Sequence, residues 1–132
     1  MIAEELMIGN WVEYHNQYWK VVDILTFHSS QKFTLRREPK GQEPVTIYGI
    51  KEVNPIPINE SILCQISEHT YHDTDTDVYF FKKDGFSPYI CHKDGQFLFG
   101  KMVLGLDELI IEYVHHLQNT IKLFKINKKI EL

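Results

Sequence analysis

The sequence predicts an α+β protein, and three observations carry that reading. The first half is a series of short segments rich in Val, Ile, Thr and aromatic residues, the composition of strands on a half-buried pleated surface. Further on, two Asp-Gly pairs, Asp84-Gly85 and Asp94-Gly95, stand between aromatic runs, the strongest short-range hairpin signal. Near the C terminus, apolar residues recur at offsets of three and four, the period of a helix with one buried face. The expected architecture is an N-terminal SH3-like small β-barrel over residues 1–58. Residues 59–132 then supply a short helix, a three-stranded antiparallel meander and a C-terminal helix, packed with the barrel as one unit.

The barrel strands are read in "GNWVEYH", "YWKVVDILTF", "KFTLRRE" and "VTIYGIKEV", separated by the turn compositions "NQ", "HSSQ" and "PKGQEP". The second of these is long enough to bend and serve two sheet faces. In "NPIPIN", Pro55 and Pro57 cannot donate to a ladder, so the chain should run extended along an edge there. Asn59 is a suitable N-cap for a two-turn helix carrying Ile62, Leu63 and Ile66. "VYFFKKDGFSPYICHKDGQFLFGK" gives the meander, with Pro88 required at or before the first residue of its middle strand. The last helix is read over "LDELIIEYVHHLQNTIKLFKI", with a stripe of Leu106, Leu109, Ile110, Tyr113, Val114, Leu117, Ile121 and Phe124. Asp107 would cap it, and Lys122 and Lys125 suit the negative end of its dipole.

Composition narrows the function classes. With 132 residues, 43% hydrophobic and 13% aromatic, the chain can bury a real core. Fourteen Lys and Arg against 18 Asp and Glu leave a net charge of −4, and the one tight basic cluster is "LRRE", which is not the footprint of a general nucleic-acid binder. No apolar run approaches the roughly 20 residues that span a bilayer, and acidic residues occupy the start of "MIAEELMIGN" where a secretory signal would be basic. A cytoplasmic protein is expected, with no membrane association. Cys64 and Cys91 are expected to remain thiols.

Three segments together carry a resemblance. The opening "ELMIGNWV", the central "NPIPINESIL" and the closing "EYVHHLQN" with a terminal "IEL" resemble a family of short uncharacterised proteins of gut anaerobic bacteria, their prophages and mobile elements. The resemblance implies the same order of elements and a bacterial or phage setting, and it brings no activity with it. Where that family's short helix ends in a Gly-Phe pair, this chain has "SEHTYHDTDTD". The resemblance also implies that "DELII" belongs to a strand, whereas the periodicity places it in the helix. Both readings make Glu112 to Lys125 helical.

Four groups of residues are candidates for function. "HTYHDTDTD", residues 69–77, brings His69, His72, Asp73 and Asp75 close in sequence, and Cys64, Cys91 or His92 could complete a tetrahedral zinc set. An EF-hand starting at Asp73 fails, since Val78 stands at the glycine position and Asp84 at the bidentate glutamate position. Alternating Thr and Asp equally suit capped turns, so the stretch is read as a solvated loop with no metal or other cofactor. Trp11, Trp19 and Tyr48 would form an aromatic groove if all faced outward, and otherwise fill the barrel. His115, Gln118 and Asn119 share a polar helix face beside the core stripe, either tying the helix down through buried hydrogen bonds or recognising a partner. Finally, Arg36, Arg37, Lys40 and Lys51 would make the barrel a nucleic-acid binder if they clustered beside exposed aromatics.

Neither a phosphate loop, a nucleophile elbow nor a paired-carboxylate pattern is present. The function expected is therefore a non-enzymatic protein-binding or accessory module with a protein partner. A nucleic-acid-binding module using the barrel is the alternative, and a metal-dependent enzyme stands third.

Overall fold

The computed structural model describes residues 5–27, 30–37, 43–82, 88–100 and 109–132. The protein is α+β and built mostly of antiparallel strands. Its contacts divide it into two units, one of residues 1–57 and 113–120 with Leu132, the other of residues 58–112 and 121–131.

The first unit is a curled half-barrel sheet. Its strands are β1 (Trp11–Tyr14), β2 (Gln17–Phe27), β3 (Ser30–Arg36), β4 (Val45–Tyr48) and β5 (Val53–Asn54), in the order β4-β3-β2-β1-β5. His15 and Asn16, with φ of 48° and 60°, turn β1 into β2, the left-handed pair that a two-residue hairpin of matching twist needs. A register shift between Val21 and Asp23 bends the long second strand, which lets one strand serve a curved sheet. Val12, Trp19, Val21, Phe33, Leu35, Ile47 and Val53 alternate inward and form the core with Leu6.

In the second unit, helix α1 (Glu60–Ile66) begins as expected: Asn59 Oδ1 accepts from Ile62 N–H at 2.9 Å, and Ile62, Leu63 and Ile66 are buried. The sheet that follows has five strands rather than three, β6 (His69–His72), β7 (Thr76–Phe80), β8 (Tyr89–Lys93), β9 (Gln96–Gly100) and β10 (Leu109–Ile111), in a continuous antiparallel meander. Asp94 and Gly95, with φ of 52° and 75°, form the turn between β8 and β9. Pro88 immediately precedes β8, where its missing N–H costs the ladder nothing. Asp84-Gly85 lies outside the described residues.

Two readings of the sequence need correction here. Residues 69–75 are exposed and Thr76 and Asp77 half-buried, but the stretch is a hairpin and not a loop: β6 pairs with β7, and Asp73 N–H donates to Thr76 O across the turn. Alternating polar residues meet the period of a strand as well as that of capped turns, and only pairing decides. Leu109–Ile111 is strand β10 on β9, so the helix is shorter than its apolar stripe. Helix α2 runs Val114–Leu123, with its first seven residues in the first unit and its last three in the second. Leu106 and Asp107 lie outside the described residues. Lys125 (φ 56°) closes α2, and Ile126 N–H donates to Ile121 O, the bond of a left-handed helix stop.

Candidate functional site

The first unit carries a dense polar cluster where the start of α2 meets the segment before β1. Residues three and four apart on a helix share a face, so His115, Gln118 and Asn119 present side chains to that segment. Gln118 is bound at both ends: its Oε1 accepts from Trp11 N–H at 2.8 Å, and its Nε2 donates to Gly9 O at 3.0 Å. Asn119 Oδ1 accepts from Asn10 Nδ2, and its Nδ2 donates to Glu5 O, both at 2.8 Å. Asn10, itself buried, accepts from Met7 N–H at 2.8 Å. Backbone groups that β1 leaves unpaired at its entry are thus satisfied by amide side chains of the helix.

His115 and His116 complete the cluster. The Nε2 atoms of both rings lie 3.1 Å from Glu5 Oε2. His115 is wholly buried, while His116 and Glu5 keep side-chain exposures of 27% and 35%. Hydrogen bonds from the two imidazoles hold the Glu5 carboxyl below its ordinary range, because they favour the charged form. Burial pushes the His115 pKa down, partly opposed by its bond to Glu5. A neutral His115 donating Nε2–H to a carboxylate fits both directions, and its buried Nδ1 then has no hydrogen-bond partner among the described residues.

The second unit has two features on opposite faces of its sheet. On the face with buried Tyr79, Ile90 and Phe99, the register aligns His72, Asp77 and His92 across three strands. His72 Nδ1 lies 2.6 Å from Asp77 Oδ1, and Glu60 of α1 approaches Asp77 and His92 closely enough for one ligand atom of each to lie within 4.8 Å of the others. Burial, with Glu60 and Asp77 nearby, pushes the Tyr79 hydroxyl up to about 12, so it stays protonated and neutral. On the other face, one row of register partners crosses all five strands: Tyr71, Val78, Cys91, Leu98 and Ile110. Tyr71 and Ile110 at its ends are 56% and 54% exposed, and solvent reaches the three between them.

The residues singled out in the sequence fall into place unevenly. His69, His72, Asp73 and Asp75 are not brought together. His69 stacks on Phe80, His72 pairs with Asp77, and the two aspartates sit in the exposed turn. The groove of Trp11, Trp19 and Tyr48 does not form. Val12 and Trp19 are register partners facing the core, so neighbouring Trp11 faces the other way. Both tryptophans are buried, while Tyr48 is 79% exposed. Lys20 Nζ lies 5.0 Å from the Trp11 ring and Arg37 lies 5.7 Å from the Trp19 ring. Lys51 lines a shallow hollow with Tyr14 and Tyr48, and Lys40 is outside the described residues. Glu5 and His116 gave no sequence signal beyond their residue types, because their partners lie about as far away as the chain allows.

Compared with known proteins, the chain matches no family model, no curated protein and no solved structure. Among the described residues no helix is long and apolar enough to cross a membrane.

Proposed function

We propose that the protein is a non-enzymatic protein-binding or accessory module of bacterial or phage origin, working in the cytoplasm. It would dock a protein partner on the open face of the second sheet. The observation that carries this reading is the row Tyr71, Val78, Cys91, Leu98 and Ile110, apolar from one sheet edge to the other, with both ends exposed and the three residues between them half-buried. An antiparallel sheet facing water on one side ordinarily alternates to polar residues there, and a contiguous exposed apolar patch marks an interaction surface. The short edge strand β6 limits sheet extension, so a partner's side chains, rather than a further strand, would cover the row.

The first unit supports the fold. Its strand order, with β5 returning beside β1, favours reading it as a small SH3-like barrel. Nucleic-acid binding through that barrel is the less favoured reading: of the described cations considered, Arg37 lies against a buried tryptophan, Arg36 is exposed on β3, and Lys51 lines a hollow with exposed Tyr48. The test is affinity capture from the native host with the wild-type chain and a Tyr71→Ser/Leu98→Thr/Ile110→Ser variant. A protein retained by the wild type and lost by the variant supports the reading. Equal retention by both, or capture abolished by nuclease, overturns it.

A further inference from the structure

We propose that Glu5, His115 and His116 form a binding site for a divalent transition-metal ion of the zinc type, with Glu5 Oε2 and the two Nε2 atoms as ligands and a fourth position open to water. Zinc takes imidazole nitrogen and carboxylate oxygen at about 2.0–2.2 Å in tetrahedral geometry, which sets ligand atoms roughly 3.3 Å apart. Both Nε2 atoms already stand 3.1 Å from Glu5 Oε2, and all three ligand atoms lie within 4.8 Å of one another. The two nitrogen–oxygen pairs therefore need open by only a few tenths of an ångström, with the two nitrogens at most 4.8 Å apart, to admit the ion.

Three further features fit. The ligands come from two segments held in register by the Gln118 and Asn119 hydrogen bonds, so the set is preorganised. One ligand is fully buried while two are partly exposed, which gives rigidity on one side and an entry path on the other. Tyr113 covers the rings, stacking with His115 at a centroid distance of 5.8 Å and tilting against His116 at 5.3 Å. Imidazole and carboxylate together suit zinc and cobalt better than calcium or magnesium, which prefer all-oxygen sets.

Metal binding and the metal-free hydrogen bonds need different tautomers. Without metal, Nε2–H of His115 donates to Glu5; with metal, Nε2 offers its lone pair and the proton moves to Nδ1. The Nδ1 atom is buried without an acceptor among the described residues, whereas ligating histidines normally donate their outer N–H to one. Affinity is accordingly expected in the micromolar rather than the nanomolar range. The cluster of Glu60, Asp77 and His92 has an exposed member and a carboxylate already engaged by His72, and serves as the internal comparison.

The test is titration of chelator-treated protein with Co²⁺, followed by its visible d–d bands. One tetrahedral Co²⁺ per chain, displaced by an equivalent of Zn²⁺, is expected. His116→Ala and Glu5→Gln should each weaken binding by at least about tenfold, the lower end of what even outer-shell losses produce, while His92→Ala should not. Because substitutions here could disturb folding, the same question is put to the wild type by ¹H–¹⁵N spectroscopy of its imidazoles. Zinc should shift the Nε2 resonances of His115 and His116 and leave those of His72 and His92 in place. Octahedral cobalt only, affinity unchanged by His116→Ala, or zinc shifts confined to other histidines would each overturn the assignment.

Discussion

Gln118→Ala cuts one side chain and strands two backbone groups, so its cost can be worked from the geometry. Gln118 holds Trp11 N–H at 2.8 Å and Gly9 O at 3.0 Å, and Trp11 is 1% exposed. A hydrogen bond contributes about 1 kcal/mol net, but a buried group left without its partner costs about 1–3 kcal/mol. Water can reach the Gly9 side more readily than the Trp11 N–H, which puts the sum at about 2–3 kcal/mol. Asn119→Ala strands the Nδ2 of buried Asn10 and the Glu5 carbonyl in the same way, and a similar cost of about 2–3 kcal/mol follows. The two losses free the same entry segment, so the double variant should fall short of their sum. The assay is urea unfolding at neutral pH of Gln118→Ala, Asn119→Ala and His115→Ala beside Lys122→Ala, an exposed control on the same helix. With a urea m-value of about 2 kcal/mol per molar, Gln118→Ala and Asn119→Ala should each lower the midpoint by about 1–1.5 M, and His115→Ala should also fall below the control. Midpoints within about 0.3 M of the control for all three, an energy of roughly 0.5 kcal/mol, would refute the structural role of this face and return it to the list of partner surfaces.

Three further outcomes are expected. Gly100→Ala should destabilise the second sheet, because a Cβ there would stand 2.6 Å from the Tyr89 hydroxyl of the paired strand; Gly100→Ala/Tyr89→Leu should recover most of the loss in a thermal melt. Lys125→Gly should be neutral or stabilising by up to about 1 kcal/mol, since Lys125 holds the left-handed conformation at the end of α2 that glycine adopts without strain; a melt showing clear destabilisation would contradict that account of the helix stop. In chelator, stability should fall with pH from the acid side of neutrality. The folded His115 pKa lies below its ordinary 6.5, so the unfolded chain takes up this proton first and stability is lost as pH drops below 6.5; Glu5, held below 4.5, adds a second loss as pH falls through its folded value. His115→Gln should flatten the first part of that decline, and an unchanged slope between pH 6.5 and 4.5 would show that another group drives it.

What could be read from the sequence was what is decided locally. Asn59 caps α1 through a bond three residues away, Asp94-Gly95 supplies its own left-handed turn, and Pro88 stops where a ladder would need its N–H. The polar face of α2 was visible as an i, i+3, i+4 pattern, but its partners at residues 5–11 were not, since nothing in the sequence links positions more than a hundred residues apart. Strand β7 was read only from Val78 onward, and β6 was missed because its four residues, His69–His72, hold a single aromatic side chain among polar ones, too little to betray a period. Leu109 and Ile110 fitted a helical stripe by offset, yet their pairing with β9 wins, as tertiary context commonly overrides periodicity in short apolar runs. Whether Trp11 and Trp19 faced one way turned on a single step of register, which decides the face of every residue in a strand. The apolar row of the second sheet was hidden for the same reason: its five members come from five segments and align only through pairing.

The central claim is that this row is the docking face, and Cys91 in its middle gives a direct reporter. Cys91 lies partly exposed between Val78 and Leu98, while Cys64 is exposed on α1. Thiol labelling of the wild-type chain, alone and in the complex recovered by affinity capture, compares the two sites within one molecule. The account predicts that Cys91 is shielded in the complex while Cys64 labels as in the free chain. Cys91 labelling at the same rate free and bound, with the partner still in place, would contradict it.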